Sequence, residues 1–304
     1  MINLKVVKNR KIWLSISALL MTISLVFVFL WGLNFGIDFT GGSLMEVKFS
    51  GNTPSVSELR TELSGLGLNS LSVQPTEGDT FILKFKEIDN NSRDLVLEKL
   101  NQVSLSLNDG SEQLIEEIRF DSVGPSIGKE LKSKSFNTVV IVLILIVLYV
   151  AFVFRKVSKP VSSWNYGISA IIALFHDVLI VLGVFAFLGK FYGVEINTPF
   201  IAAILTVLGY SVNDTIIVFD RIRENLPKSE DSFVNTIDKS INQTLVRSIN
   251  TSFTTLLVLI SILFFGGKTI QDFVLALSIG VFVGTYSSIF IASPLLIMFD
   301  KRKK

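Results

Sequence analysis

Six long apolar stretches, separated by more polar segments, set the pattern of this 304-residue chain. They cover residues 12–32, 136–154, 164–188, 196–219, 249–265 and 270–299. A helix of roughly 20 mostly apolar residues crosses the ~30 Å hydrocarbon core of a bilayer, and each stretch is close to that length. The pattern therefore predicts a polytopic α-helical membrane protein with six transmembrane helices.

The segment between the first two spans is polar, and its periodicity is that of a small folded domain. Residues 44–49 alternate as a strand does, and Ser55 followed by Glu58 has the spacing of a capping box that opens a helix. The whole segment is predicted to run strand, helix, strand, strand, helix, strand, which is the order of a ferredoxin-like α+β domain. The further strands are expected at 71–74, 80–86 and 115–122, and the second helix at about 92–103.

A second amphipathic segment lies between the fourth and fifth spans. Phe233, Ile237, Ile241 and Leu245 recur every four residues, with polar residues between them. This spacing predicts an amphipathic helix, which either lies on the membrane surface or packs as a solvated helix on the bundle.

The basic residues determine the expected orientation. Most Lys and Arg residues near the spans fall in the two termini and in two alternate loops, whereas the short loops opposite carry only Lys190 and Lys268. The positive-inside rule then places both termini in the cytoplasm and the segment after the first span outside. The expected domains are 1–32, with the first span; an extracytoplasmic domain at 33–135; and 136–304, with five spans and a cytoplasmic amphipathic loop at 220–247. A cleaved signal peptide is the alternative for the first span, but no small-residue cleavage site follows it.

The composition excludes several kinds of site. The chain has no cysteine, so it has neither disulfides nor thiolate ligands or nucleophiles. With a single histidine, His176, a multi-histidine metal site is excluded as well. No phosphate-cradling loop is present in the sequence, so we expect no nucleotide chemistry, no cofactor and no nucleic-acid partner.

Ionisable residues inside the spans are the candidate functional residues, because insertion scales give each a cost on the order of 2.5–3.5 kcal/mol. Asp214 lies in the fourth span and Arg247 opens the fifth, so Arg247 is the expected partner of Asp214. The pair is either a proton relay, in which protonation of Asp214 is coupled to helix motion, or a permanent ion pair that fastens two helices. Polar side chains expected on the same helix faces are Tyr210, Asn213, Asn250 and Thr251.

His176 and Asp177, in the third span, form a second polar island. The pair either hydrogen-bonds to a neighbouring helix or caps a polar cavity, or it supports a proton or water path. An intramembrane aspartyl protease would need Asp177 and Asp214 close together. At ~1.5 Å per helical residue they differ in depth by roughly 9 Å, which disfavours that enzyme.

Four segments, in this order, resemble one family across nearly the whole chain. They are Gly36-Ile37-Asp38-Phe39-Thr40-Gly41-Gly42, Val123-Gly124-Pro125, the run 209–224 around Asp214, and the run 247–252 that begins with Arg247. Together they are similar to the SecD/SecF family of bacterial protein-export subunits, which is related to the resistance-nodulation-division transporters.

The resemblance implies a function and a set of partners. A chain of the SecF kind pairs with SecD in a twelve-helix bundle in the bacterial cytoplasmic membrane, associates with the SecYEG channel, and has YajC as a further candidate partner. The pair uses the proton-motive force to assist export of unfolded preprotein from the outer side. Carried onto this chain, Asp214 would titrate, Arg247 would be its charged partner, and the segment Gly36 to Gly42 would shape the turn out of the membrane.

Two other functions remain open on the residues alone. One is a half-size proton-coupled transporter of a small molecule or lipid, and the other is a passive membrane scaffold. The residues also do not decide whether a proton or a sodium ion is the coupling ion.

Overall fold

The computed structural model describes residues 5–76, 78–108, 115–155 and 161–299. The chain divides into two compact units, one of Phe35–Lys134 and the other of the residues up to Asn34 and from Ser135 onward. In chain order the elements are α1 Arg10–Trp31, α2 Ile37–Thr40, β1 Gly42–Phe49, α3 Val56–Ser64, β2 Ser72–Pro75, β3 Thr80–Phe85, α4 Asn90–Leu107, β4 Ile115–Val123, α5 Pro125–Val153, α6 Ser163–Tyr192, α7 Thr198–Asn225, α8 Phe233–Phe265, α9 Lys268–Ser287 and α10 Ser293–Leu295.

The six predicted spans are confirmed as helices. Within the described residues, six helices are long and apolar enough to cross a membrane, and they are α1, α5, α6, α7, α8 and the segment Thr269–Phe299 that begins in α9. Asn197 caps the start of α7 by accepting the Phe200 backbone N–H, and Pro199 follows at the second helical position, where the missing N–H costs no hydrogen bond.

The amphipathic segment that begins at Phe233 does not form a separate helix on the membrane surface, which was one of the two expectations. It is no separate element, because α8 runs unbroken for 33 residues from Phe233 through the fifth span. Its apolar face is buried in the same core as Phe219 and Ile222 of α7, so the segment packs on the bundle, as the other expectation had it. The continuity follows from the sequence, since no proline or glycine interrupts residues 233–265.

The sixth span is not one regular helix. After α9 come a π-helical turn at Ser288–Ala292, the short α10 and a 3-10 turn at Leu296–Phe299. Pro294 has no N–H to donate to the preceding turn, which weakens regular α-helix here. Two glycines before this point allow close packing against α7: a side chain on Gly280 would collide with Val207, and one on Gly284 would come within 2.9 Å of Ser211 Cβ.

The unit Phe35–Lys134 contains a four-stranded sheet in the order β2-β3-β1-β4, and every neighbouring pair is antiparallel. Its elements follow in the order expected from the sequence, with α3 between β1 and β2 and α4 between β3 and β4. Alternate strand residues such as Met45 and Leu83 are buried against Leu59 and Leu100 of the helices. The apolar residues that alternate along the strands and those that follow the helical repeat therefore form one core.

Gly41, which precedes β1, and Gly42, its first residue, lie against other backbone segments of the same unit. Gly41 has φ +75° and a Cβ there would lie 2.9 Å from Pro125 Cα, while Gly42 has φ +128° and a Cβ there would lie 2.7 Å from the Phe85 carbonyl oxygen. Gly42 also pairs with Val123 of β4. The segments Gly36 to Gly42 and Val123 to Pro125, which are far apart in sequence, are therefore neighbours. A side chain at Gly41 or Gly42 is disfavoured both by the positive φ and by the lack of space.

Substituting alanine for Gly42 is expected to destabilise this unit by about 2 kcal/mol, because the backbone conformation is strained for any side chain and the Phe85 carbonyl must move. In the full-length protein, amides of β1 and β3 should then exchange with deuterium roughly 30-fold faster. Gly65→Ala is the control, since Gly65 has φ −67° and its nearest neighbour to a Cβ is 3.8 Å away. Equal exchange in the two variants would contradict this account of Gly42.

The capping box of α3 is present, and it predicts a pH dependence. The Ser55 backbone N–H donates to Glu58 at 2.7 Å, and this bond and the Ser55 hydroxyl lower the pKa of Glu58. A lowered folded-state pKa means that the stabilisation is complete above the ordinary Glu value near 4.5 and is lost as the pH falls through the lower folded value. Amide protection in the first turn of α3 should therefore drop on acidification in the wild type. Glu58→Gln should remove this pH dependence, whereas Glu98→Gln, on the exposed face of α4, should leave it intact.

Candidate functional site

Asp214 is a buried carboxylate at the meeting point of three helical segments. Asp214 lies on α7 and is only 6% exposed. Oδ1 accepts a hydrogen bond from the Ser248 hydroxyl of α8 at 2.6 Å, and Oδ2 accepts one from Ser288, at the start of the π-helical turn, at 2.8 Å. A hydroxyl can donate to a carboxylate and can accept from a carboxylic acid. These partners can therefore satisfy Asp214 in either protonation state.

Asp177 of α6 is a second buried carboxylate with its own partners. Its Oδ2 accepts from Ser211 of α7 at 2.6 Å and from Ser287 at the end of α9 at 2.8 Å. Its Oδ1 lies 3.0 Å from Nδ1 of His176, and both side chains are almost fully buried. His176 Nε2 has no hydrogen-bond partner in the described part of the chain. An imidazole protonated at Nδ1 fits this arrangement, because Nε2 then carries no proton that would need an acceptor.

Consecutive residues of the last span serve the two carboxylates. Ser287 bonds to Asp177 and Ser288 bonds to Asp214. On α7, Ser211 bonds to Asp177 and lies one turn before Asp214. The two acids are thus joined through short stretches of chain. Within the described residues no hydrogen bond links one carboxylate to the other, so the structure does not form the shared-proton pair of an aspartyl protease.

Arg247 does not form the expected ion pair with Asp214 in this structure. The carboxylate is held by Ser248, and successive helical residues point about 100° apart, so the side chain before Ser248 faces elsewhere. Arg247 is exposed and lines a cavity of about 310 Å³. The other residues that line this cavity are Ile217, Asp220, Arg221, Glu224, Gln243 and Thr244.

The remaining polar residues predicted around the pair divide into two groups. The Tyr210 hydroxyl donates to Ser252 at 3.1 Å, and Ser252 lies 2.5 Å from the Thr285 hydroxyl, so this set joins α7, α8 and α9 next to the Asp214 partners. Asn213, Asn250 and Thr251 are exposed and do not line the buried carboxylates. Of the polar residues expected on α7, Asn213 therefore lies on its outer face, whereas Tyr210 bonds to α8 and Asp214 is buried.

Sequence reasoning missed the serines that hold both acids. The residues concerned are Ser211, Ser248, Ser287 and Ser288. In the sequence, Ser288 is one of five small residues that repeat every four positions in the sixth span, Ala276, Gly280, Gly284, Ser288 and Ala292, and this spacing by itself indicates only a packing device. Among the described residues there is no group of three or more His, Asp or Glu side chains that could hold a metal ion.

Two family models match the chain. The one described as the C-terminal part of protein export membrane protein SecD/SecF matches residues 103–302, and the one described as the SecD/SecF GG motif matches residues 30–52. The second match contains the Gly41–Gly42 pair that packs against Pro125 and Phe85. The resemblance read from the motifs is confirmed.

Individual relatives and structures agree with these matches. Protein translocase subunit SecF of Thermobaculum terrenum is 42% identical over 98% of this chain and 94% of its own length, and that of Haemophilus influenzae is 40% identical over 94% and 82%. A crystal structure of SecDF from Thermus thermophilus, described as a translocon-associated membrane protein, superimposes with a TM-score of 0.82 at 34% identity and 98% coverage. The chain spans 38% of that longer protein. By these matches, which extend over nearly all its residues, the chain belongs to the SecD/SecF family of protein-export membrane proteins.

Proposed function

We propose that this chain is an accessory subunit of the Sec export machinery that, together with SecD, uses the proton-motive force to assist preprotein translocation. The observation that carries the proposal is the state of Asp214: buried, bonded only by two serine hydroxyls, and without a cation in contact among the described residues. A carboxylate with a fixed counter-charge would stay ionised. One that has only hydroxyl partners can gain and lose a proton without losing its hydrogen bonds.

The proton path that we propose leads from Asp214 to the cavity beside Arg247, which is its cytoplasmic end in the proposed orientation. Ile217, which lines that cavity, lies almost one turn after Asp214 on α7, and Arg247 directly precedes Ser248. Two of the neighbouring cations are already paired, Arg221 with Glu224 and Arg223 with Asp220, each at 2.7 Å. Arg247 is in no ion pair within the described residues. Its guanidinium is therefore available to approach the carboxylate in a different helix arrangement and to stabilise the charged form there.

Protonation would be coupled to shape through the helices that Asp214 joins. A carboxylic acid donates one hydrogen bond and accepts fewer than the carboxylate, so Ser248 and Ser288 must reorient when the proton arrives. Ser288 begins a π-helical turn, and such turns occur often at functional sites. One proton that crosses a potential of ~100 mV delivers about 2.3 kcal/mol, which is enough to shift a balance between two packings of the bundle.

The orientation and domain assignment are part of the same proposal. Residues 33–135 would form an extracytoplasmic ferredoxin-like domain, and both termini, with the loop at 220–247, would be cytoplasmic. The antiparallel order β2-β3-β1-β4, with one helix in each crossover, supports the domain class. The distribution of Lys and Arg along the chain supports the orientation.

A second helical bundle is the partner that the outer face of α7 and α8 fits best. Four polar side chains are exposed there, at depths where hydrocarbon would be the alternative neighbour. They are Thr206, Asn213, Asn250 and Thr251. SecD is the proposed owner of that bundle, with SecYEG, YajC and unfolded preprotein as further partners of the assembly.

Replacing Asp214 by Asn is expected to abolish the gradient-dependent part of export, because an asparagine amide cannot take up and release a proton as a carboxylate does. Arg247→Met should have the same effect. The measurement is export of a secreted reporter, with and without a protonophore, in cells that rely on the variant at normal abundance. Thr22→Ala is the control, because Thr22 is exposed on α1 and its hydroxyl bonds to the Ala18 carbonyl of its own helix. Full export with undiminished protonophore sensitivity in both variants would leave a passive scaffold as the function.

The serine partners of Asp214 give a second test. Ser288→Ala removes a hydrogen bond to a charged group, worth about 1.5–3 kcal/mol, and should slow gradient-dependent export at least tenfold. Ser278→Ala is the matched control on the same helix, because the Ser278 hydroxyl bonds only to the Val274 carbonyl of its own turn. Ser248→Ala on α8 can be compared in the same way with Ser261→Ala, whose hydroxyl bonds to Leu257. Equal rates within either matched pair would argue against a role for these hydroxyls.

A further inference from the structure

An open cavity of about 1010 Å³ lies at the end of the helix bundle where α1 begins. We propose that it is a binding site for an anionic phospholipid, with the phosphate held by Lys5, Lys8 and Lys239. All three side chains line the cavity and are exposed.

The turn before α1 is fixed to the bundle by burial and by one carboxylate. Val6 and Val7 are 2% and 0% exposed and belong to the core formed with α7 and α8. The backbone N–H of Val7 donates to Asp238 Oδ1 of α8 at 2.8 Å, and the amides of Val6 and Lys8 also donate to this carboxylate. Lys5 and Lys8 are therefore held beside α8, and both line the same cavity as Lys239.

The charge balance of the cavity favours an anion. Asp238 is the only acidic residue among its described lining residues, and its oxygens are occupied by backbone amides. Arg221, the fourth lining cation, is paired with Glu224 at 2.7 Å. Within the described chain Lys5, Lys8 and Lys239 have no carboxylate at ion-pair distance, and Asp238, which attracts Lys5 at longer range, is one negative charge against these three positive charges. Ammonium groups clustered between helices at a membrane surface are the kind of site that binds phospholipid headgroups.

The apolar surface next to the cavity distinguishes a lipid from a soluble phosphate. Val246 lines the cavity and is 60% exposed. Phe253 and Leu257, seven and eleven residues further along α8, are 59% and 49% exposed and follow the same helix face. A headgroup in the cavity would thus have its acyl chains along an exposed apolar track in the spanning part of α8, and Asn250 marks the edge between this track and the surface proposed for the SecD bundle. A soluble anion would make no use of that track.

The test is lipid binding to the full-length protein, measured by native mass spectrometry after purification in a neutral detergent. The probes are phosphatidylglycerol, phosphatidylcholine and glycerol phosphate. Phosphatidylglycerol should bind, and the triple variant Lys5→Gln, Lys8→Gln, Lys239→Gln should bind it on the order of 100-fold more weakly, at about 1 kcal/mol per surface lysine. The triple variant Lys48→Gln, Lys129→Gln, Lys190→Gln removes the same charge elsewhere and should bind as the wild type does.

Three results would overturn the proposal. An equal loss in the control triple variant would reduce the effect to net charge, and equal binding of phosphatidylcholine would remove the role of an anionic headgroup. Binding of glycerol phosphate as tight as that of the lipid would make this a soluble-anion site. If the cavity triple variant does not fold, the exposed Lys239→Gln alone should weaken binding about fivefold, and no change would also count against the proposal.

Discussion

The carboxylate of Asp214 lies where three helical segments meet, and its partners are hydroxyl groups and not a cation. This choice of partner constrains the surrounding structure. Serine is short, so α8 and the last span must approach α7 closely for the hydroxyls to reach, and Gly280 and Gly284 permit that approach. A guanidinium in contact would stabilise one charge state only. Hydroxyls stabilise both, at the cost of requiring close packing around a polar group.

The last span is the element that connects the two buried acids. Ser287 and Ser288 turn toward Asp177 and Asp214, respectively, at the point where α9 gives way to a π-helical turn. A regular helix would continue the hydrogen-bond ladder through this region, whereas here the Ser293 hydroxyl donates to the Ser288 carbonyl at 3.1 Å. Two of the four serines that hold the acids, one for each acid, are thus attached to the least regular part of the bundle. A change in hydrogen bonding at either acid can be taken up there without breaking a long helix.

The separately folded unit obeys a different constraint, in which backbone approaches backbone. Gly41 and Gly42 lie against Pro125 and the Phe85 carbonyl, so the start of β1, the end of β3 and the start of α5 share one tight junction. The family motif around these glycines therefore has a packing explanation that needs no chemistry from Asp38. Gly41 and Gly42 in this unit, and Gly280 and Gly284 in the bundle, all permit close approach of neighbouring segments, but only the bundle glycines lie near a buried ionisable group.

The sequence by itself determined the six spans, the order of strands and helices between the first two spans, and the capping box at Ser55. It also identified Asp214 and Asp177 as candidate functional residues. These features are local: they follow from hydropathy, periodicity and the cost of a charge in hydrocarbon, each readable within a few turns of chain. Only the tertiary structure decided which groups touch. In it, Ser248 and Ser288, and not Arg247, are the partners of Asp214, and Asn213 is on the outer face of α7. The amphipathic segment and the fifth span form the single helix α8. His176 contacts Asp177, which also accepts hydrogen bonds from two serines. Such partners come from helices distant in sequence, and their choice depends on the rotation of each helix about its own axis, which an apolar span hardly encodes.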